Sequence, residues 1–260
     1  MTINYDDSHN FVMVIETSNF LNRLEANQFN LFTQKLHNSL MKSINRFEGE
    51  IIEHNDNTYV VNFDSVNNCI LCALKVDYNF KYTTPKFDSS IRQLKIGIAS
   101  GFKENLDEII KIAKRICEFV QNKIVITSDV KKLYEQINKN HFINKEHIKT
   151  LNEKEELFID KIMNFTDGIW SNKQFNVNDF SKNLAYSNSQ IYRMLKRLTG
   201  NSPSTFLRNF RLNKALTLLH DQDLSVSEVA SKSGFNSLTY FSKCFKSRFG
   251  ILPSKYIQQH

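Results

Sequence analysis

Proline, glycine and cysteine are all scarce in this chain, with 3, 7 and 4 copies among 260 residues, and each scarcity closes off a class of structure. So few Pro and Gly beside 41% apolar residues exclude a low-complexity or collagen-like chain. No window lacks hydrophobics, so folded structure is expected throughout, apart from the first ten residues. Four Cys are too few for a disulfide framework at this length and fit a reducing compartment. Cys69 and Cys72 do form a C-x-x-C inside NNCILCALKV, but helical spacing puts both thiols on a buried face, and no second Cys or His pair completes a tetrahedral site. The 7 His are scattered, none at H-x-x-x-H or H-x-H spacing, so neither a metal nor a cofactor is expected. No apolar run approaches the ~18 residues of a spanning helix. The opening MTINYDDSHN has no basic or apolar signal-peptide region. A cytoplasmic protein with no membrane partner is the expectation.

Charge is unevenly placed. Residues 166–260 hold 13 Lys/Arg against 5 Asp/Glu, a net +8, whereas residues 1–165 hold 21 against 22, a net −1. A basic third joined to a neutral remainder points to a segment that meets a polyanion and a domain with another task. Binding to a membrane surface is disfavoured, because the basic helices lack the large apolar wedge that interfacial helices bury.

The neutral part reads as alternating elements. FVMVI (11–15) is a buried strand, and Phe29, Phe32, Leu36, Leu40, Ile44 and Phe47 form one stripe of a following helix. GEIIEH and TYVVNF are strands joined by NDN, which suits a tight hairpin. A helix over 66–80, a strand QLKIGIA, a helix over 106–120, a strand KIVIT and a helix from Ser128 complete an α/β sandwich around a mixed sheet. The expected domains are 1–139 (α/β), 140–165 (a charge-rich helical linker) and 166–260 (all-α).

The last part contains an internal repeat. At an offset of 50, Gly200, Pro203, Ser204, Phe206 and Leu207 return as Gly250, Pro253, Ser254, Tyr256 and Ile257, and Ile191, Arg193, Met194, Leu195 and Lys196 return as Phe241, Lys243, Cys244, Phe245 and Lys246. An offset of 49 pairs NVNDFSKNLAYS with LSVSEVASKSGFN. Each copy is therefore helix, short turn, helix. Ile191, Met194, Leu195 and Leu198 form a core face in the first copy, leaving Ser189, Tyr192, Arg193 and Lys196 outward. Phe241, Cys244, Phe245 and Phe249 do the same in the second, leaving Leu238, Thr239, Ser242, Lys243 and Lys246 outward. Neither outer face carries an acid. Ser225-Val-Ser-Glu228 is a capping box, and Gly234 supplies the permissive backbone of the turn. Two helix-turn-helix motifs joined by a longer helix, STFLRNFRLNKALTLLH, are the expected architecture. Outward helices ~34 Å apart enter successive major grooves on one face of a duplex.

On these residues, and above all RLNKALTLLHDQDLSVSEVASKSGFNSLTYFSKCFKSRFGILPSKY, the segment from about 172 to 260 resembles the DNA-binding domain of the AraC/XylS transcription regulators. The resemblance implies base-facing roles for Ser189, Tyr192, Arg193, Leu238, Thr239, Ser242 and Lys243. Lys196 and Lys246 are expected on phosphates, Arg193 on a guanine, and Leu238 and Thr239 against a thymine methyl. Double-stranded DNA and RNA polymerase are the implied partners, and activation the implied effect.

Residues 11–130 resemble a class III nucleotide cyclase domain, through FVMVIETSNF, FEGEIIEHNDNTYVVNF, LKIGIASG and KIVITSDVKKLYE. By that resemblance Glu16 and Asp56 stand where two metal-binding carboxylates belong, and Arg115 where an arginine stabilises transition-state charge. Asn19 replaces a glycine that lets backbone approach phosphate, and Lys111 replaces the asparagine partner of the arginine. The expectation is a cyclase-like, ferredoxin-like sandwich without turnover, whose vestigial site comprises Glu16, Asp56 and Arg115. It would serve to form a homodimer or to sense a small-molecule effector. Two alternatives stay open: an active or nucleotide-binding cyclase fused to a DNA-binding domain, and an unrelated ferredoxin-like α/β domain.

Overall fold

A computed structural model describes residues 8–17, 26–55, 57–83, 94–121, 123–139, 146–221 and 223–259, with side chains from residue 34 onward in the first helix. The chain divides into two compact units, Met1–Asp160 and Lys161–His260.

The first unit is built on a six-stranded sheet in the order β2-β3-β1-β4-β5-β6, from β1 (His9–Thr17), β2 (Glu50–His54), β3 (Thr58–Phe63), β4 (Leu94–Phe102), β5 (Ile124–Ile126) and β6 (Ile148–Thr150). The pairs β2-β3, β3-β1 and β1-β4 are antiparallel, while β4-β5 and β5-β6 are parallel. Strand side chains alternate between faces. Phe11, Met13 and Ile15 of β1 therefore join Tyr59, Val61, Phe63, Ile96 and Ile98 in one core, under α1 (Ala26–Arg46), α2 (Val66–Thr83) and α4 (Ser128–Ile137). Val12, Val14, Val60 and Ala99 point to the other face and meet α3 (Leu106–Phe119) through Ile109, Ala113 and Cys117. Gly97 permits that contact, since a Cβ there would stand 2.5 Å from the Ala113 carbonyl. Leu36, Leu40 and Ile44 of the expected α1 stripe are buried, and Phe47 is partly so; the side chains of Phe29 and Phe32 lie outside the described set. Cys69 and Cys72 are buried, and burial lifts the Cys72 thiol to about 12, so packing accounts for the C-x-x-C. The hairpin tip is an Asx turn in which Asn55 Oδ1 accepts from the Asn57 and Thr58 amides, at 2.9 and 2.8 Å.

Residues 140–165 are not simply the helical linker their charge suggested. Ile148–Thr150 is a strand that extends the sheet, and α5 (Glu153–Ile169) follows it directly. One charge pair there is drawn in, while Glu153 and Lys154 face water. Asn152 and Glu155 exchange backbone-to-side-chain hydrogen bonds at 2.9 and 3.0 Å, and Lys149 Nζ reaches Glu155 Oε1 at 3.2 Å. Glu155 is thereby buried, while Glu156 accepts from the Ser128 amide at the start of α4.

The second unit is helical: the rest of α5, then α6 (Asn178–Leu184), α7 (Asn188–Thr199), α8 (Pro203–His220), α9 (Val226–Lys232), α10 (Leu238–Phe249) and α11 (Pro253–Gln259). Phe165, Phe175, Phe180, Phe206 and Phe210 form a run of ring contacts around the first motif. Leu212, Ala215, Leu219, Val229, Ala230, Phe241, Phe245 and Tyr256 close the second core.

Candidate nucleic-acid interface

Two copies of one device stand on α8. In the first, α6 ends at Ala185 in the left-handed region (φ 57), and Ser187 caps α7 in a reciprocal box with Gln190. In the second, α9 opens on the expected Ser225–Glu228 box, Gly234 turns the chain at φ 76, and Ser237 caps α10. Both outer helices end on a left-handed glycine, Gly200 or Gly250. Ser225 Oγ and the Ser225 amide hold the Glu228 carboxyl below its usual range.

The side chains sort as the repeat requires. Ile191, Leu195 and Leu198 are buried in α7, whereas Ser189, Tyr192, Arg193 and Lys196 are exposed. Phe241 and Phe245 are buried in α10; Leu238, Thr239, Lys243 and Lys246 are exposed, and Ser242 is half-buried. Tyr192 is 50% exposed and Leu238 45%, so both present apolar area that no core covers. The two lysines differ. Lys196 Nζ donates to the Gly200 carbonyl at 2.9 Å, capping its own helix, while Lys246 is exposed.

Sequence reasoning missed the cations that hold the scaffold. Arg211 of α8 donates through Nε to the Trp170 carbonyl and through Nη2 to the Asn172 carbonyl, both at 2.7 Å, and burial lowers its pKa. Arg248 of α10 grips Asn213 Oδ1 of α8 at 2.8 and 3.2 Å. Lys214 pairs with Asp167 at 3.0 Å, and Lys173 donates to Ser231 Oγ at 2.8 Å. No spacing rule finds such pairs, because their partners lie 35 to 58 residues away. Asn188, which the 50-residue offset carries onto Leu238, is exposed at the start of α7.

The vestigial site of the first unit is not assembled among the described residues. Glu16 sits on β1 opposite Lys95 and Thr58. Burial raises its pKa, Lys95 and the neighbouring Cys117 oppose the shift, and Glu118 adds to it; the Cys117 thiol itself donates to the Val14 carbonyl at 3.6 Å. Arg115 is instead ion-paired with Asp160 of α5. Asp56 and Asn19 lie outside the described residues. No group of three or more His, Cys, Asp or Glu is disposed to hold a metal among the described residues. Elsewhere in this unit a cavity of 890 Å³ opens between α4, β6 and the start of α5, lined by Lys131, Lys132, Lys149, Lys154, Glu135 and Glu153 among others.

Comparison with known proteins places a helix-turn-helix domain at residues 180–259. Histidine kinase P4 of Formosa agariphila is 32% identical over 119 residues, 44% of this chain and 9% of that protein. The Msm operon regulatory protein of Streptococcus mutans is 27% identical over 110 residues, 42% of this chain and 39% of its own. The chain thus spans well under half the length of these curated relatives. Among solved structures, the monomeric guanylyl cyclase domain of the RhoGC fusion protein from Blastocladiella emersonii covers 50% of this chain and 86% of its own, at 13% identity and a TM-score of 0.41. The C-terminal part of the chain is a helix-turn-helix domain. No helix among the described residues is long and apolar enough to cross a membrane.

Proposed function

We propose that the protein is a sequence-specific DNA-binding transcription regulator of the AraC type. The observation that carries this reading is the pair of acid-free outer faces on α7 and α10, each fixed by a buried row on the same helix. Ser189, Tyr192, Arg193, Leu238, Thr239, Ser242 and Lys243 then face base edges, while Lys246, and to a lesser degree Lys196, meet phosphates. Activation through contact with RNA polymerase in the cytoplasm completes the reading. The first unit serves as a dimerisation or effector-sensing module without turnover. Its two described vestigial residues support this, since Arg115 is occupied by Asp160 and Glu16 is walled in by Lys95, Glu118 and Cys117. A small-molecule effector is to be sought first in the lysine-lined cavity beside β6.

The test is footprinting of the full chain on genomic DNA. A defined protected site, weakened by Arg193→Ala at one base pair by ~1–3 kcal/mol, is the expected result. Loss of equal size on every sequence would reassign Arg193 to phosphate, and protection without any sequence preference would refute the reading. Steady product from ATP or GTP with Mg²⁺ or Mn²⁺, abolished by Glu16→Ala, would refute the non-enzymatic role of the first unit.

A further inference from the structure

We infer that residues 188 and 238 are an equivalent pair of specificity determinants, with Asn188 selecting an adenine and Leu238 a thymine, so that the two motifs read their half-sites by different chemistry. This rests on the DNA-binding reading above and adds what each helix selects. Asn188 and Leu238 are each the first residue of an outer helix, directly after a capping serine, Ser187 or Ser237, and the 50-residue offset superposes them. In helix-turn-helix docking the N-terminal end of the second helix lies deepest towards base edges. Both side chains are exposed.

Two nearby side chains that could compete for the same bases, Gln190 and Tyr240, are otherwise engaged. Gln190 is spent on the cap, its Oε1 accepting from the Ser187 amide at 2.8 Å. Its repeat mate Tyr240 leans on Phe235, with ring centroids 6.2 Å apart. Asn188 is the amide left at the tip of α7. An amide of that kind pairs with adenine N6 and N7 through one acceptor and one donor, a pattern no other base presents in the major groove. Leu238 offers no hydrogen bond at all. Its favourable contact on a base edge is the 5-methyl group of thymine, and Thr239 beside it adds a second methyl. The first half-site is therefore read by hydrogen bonds from Asn188 and Arg193, and the second chiefly by methyl contact.

Selection of randomised 30-base-pair duplexes by the full chain tests this, for the native protein and for Asn188→Leu and Leu238→Asn. Each substitution is expected to change the preferred base at one position only, the two positions falling in different half-sites, with roughly tenfold loss on the native site. Replacing each thymine of the selected site in turn by deoxyuridine removes nothing but a methyl. One such replacement in the second half-site is expected to weaken the native protein about fourfold, the worth of one buried methyl, and to weaken Leu238→Ala clearly less. A native motif that neither substitution alters, or deoxyuridine effects that persist undiminished in Leu238→Ala, would overturn the inference while leaving the regulator reading intact. Failure of the native chain to enrich any motif would overturn both.

Discussion

Gly234→Ala and Ala185→Gly are opposite changes at equivalent turns, and their effects should differ in size as well as in sign. Both residues hold a left-handed backbone, at φ 76 and φ 57. Such a conformation costs an alanine ~1–2 kcal/mol relative to glycine. At 185 that is the main structural effect, because the residue is exposed. Ala185→Gly should therefore relieve the strain but add unfolded-chain freedom of ~0.4–1 kcal/mol, for a net gain of about 0.5–1 kcal/mol. At 234 a methyl group has no room. It would stand 2.8 Å from the Trp170 carbonyl and 2.9 Å from Arg211 Nε, two atoms already joined by a 2.7 Å hydrogen bond. The bond must break or the turn must move. Loss of a hydrogen bond made by a charged group adds ~1.5–3 kcal/mol, and the reduced freedom of the unfolded chain returns ~0.4–1 kcal/mol, so Gly234→Ala should destabilise by about 2–4 kcal/mol in total.

Trp170 makes this measurable without interference from the first unit, because it is the chain's single tryptophan and lies in the second unit beside the turn. Urea unfolding followed by its fluorescence reports the transition concerned. A double-mutant cycle supplies the control: in an Arg211→Met background, Gly234→Ala should cost less by the hydrogen-bond component, since that bond is already gone. If the cost of Gly234→Ala is the same with and without Arg211, or no larger in magnitude than the gain from Ala185→Gly, the crowding argument is wrong.

Lys246→Ala should lower the slope of log affinity against log salt by about 0.9, the value of one released counterion, and Lys196→Ala by less, because its ammonium is held on the Gly200 carbonyl; equal slope changes would contradict the assignment. Ser225→Ala should destabilise the second unit by ~1 kcal/mol in the same fluorescence assay, since it removes the acceptor for the Glu228 amide. Glu16 tests the first unit through pH. Its raised pKa means the folded chain binds that proton more tightly than the unfolded one, so stability is gained as pH falls from the raised value towards the ordinary glutamate value of 4.5 and is lost as pH rises through that window. Glu16→Gln should flatten this dependence and slow hydrogen exchange of β1 amides at pH 7. Faster exchange in the variant would show that the carboxylate is stabilising there.

The second unit was legible in the sequence because each outer helix carries its evidence within a few residues of itself. Ile191, Leu195 and Leu198 recur at helical spacing, and the Ser225–Glu228 box and the glycines at 234 and 250 mark ends and turns. Most of the first unit was legible for the same reason, since the short apolar, β-branched and aromatic runs FVMVI and TYVVNF mark strands within a few residues of sequence. Strand β6 was not. It has three residues, and its flanking charges looked solvated because the pairing that buries Glu155 depends on Lys149 and Asn152 meeting it at a turn. Nor was the Arg115–Asp160 ion pair legible: a resemblance assigns Arg115 a role by position, whereas Asp160, 45 residues away, is what its guanidinium meets.

Duplication also offers a rule for separating scaffold from reading surface, and one pair shows where the rule bends. Where the copies agree in being apolar or glycine, as at Ile191 and Phe241, Leu195 and Phe245, or Gly200 and Gly250, the position is buried or sets the backbone. Where they differ, as at Asn188 and Leu238, both members are exposed, and nothing in the scaffold constrains the choice. Ala185 and Gly234 differ too, yet neither is on an outer helix. That difference has a local cause: Arg211 and the Trp170 carbonyl occupy the space above Gly234, and no glycine was needed at exposed Ala185 to make way for a partner. Divergence between repeats therefore marks a reading position only when both copies are exposed and sit on the free face of their helix; at a turn, it reports which neighbour the backbone must accommodate.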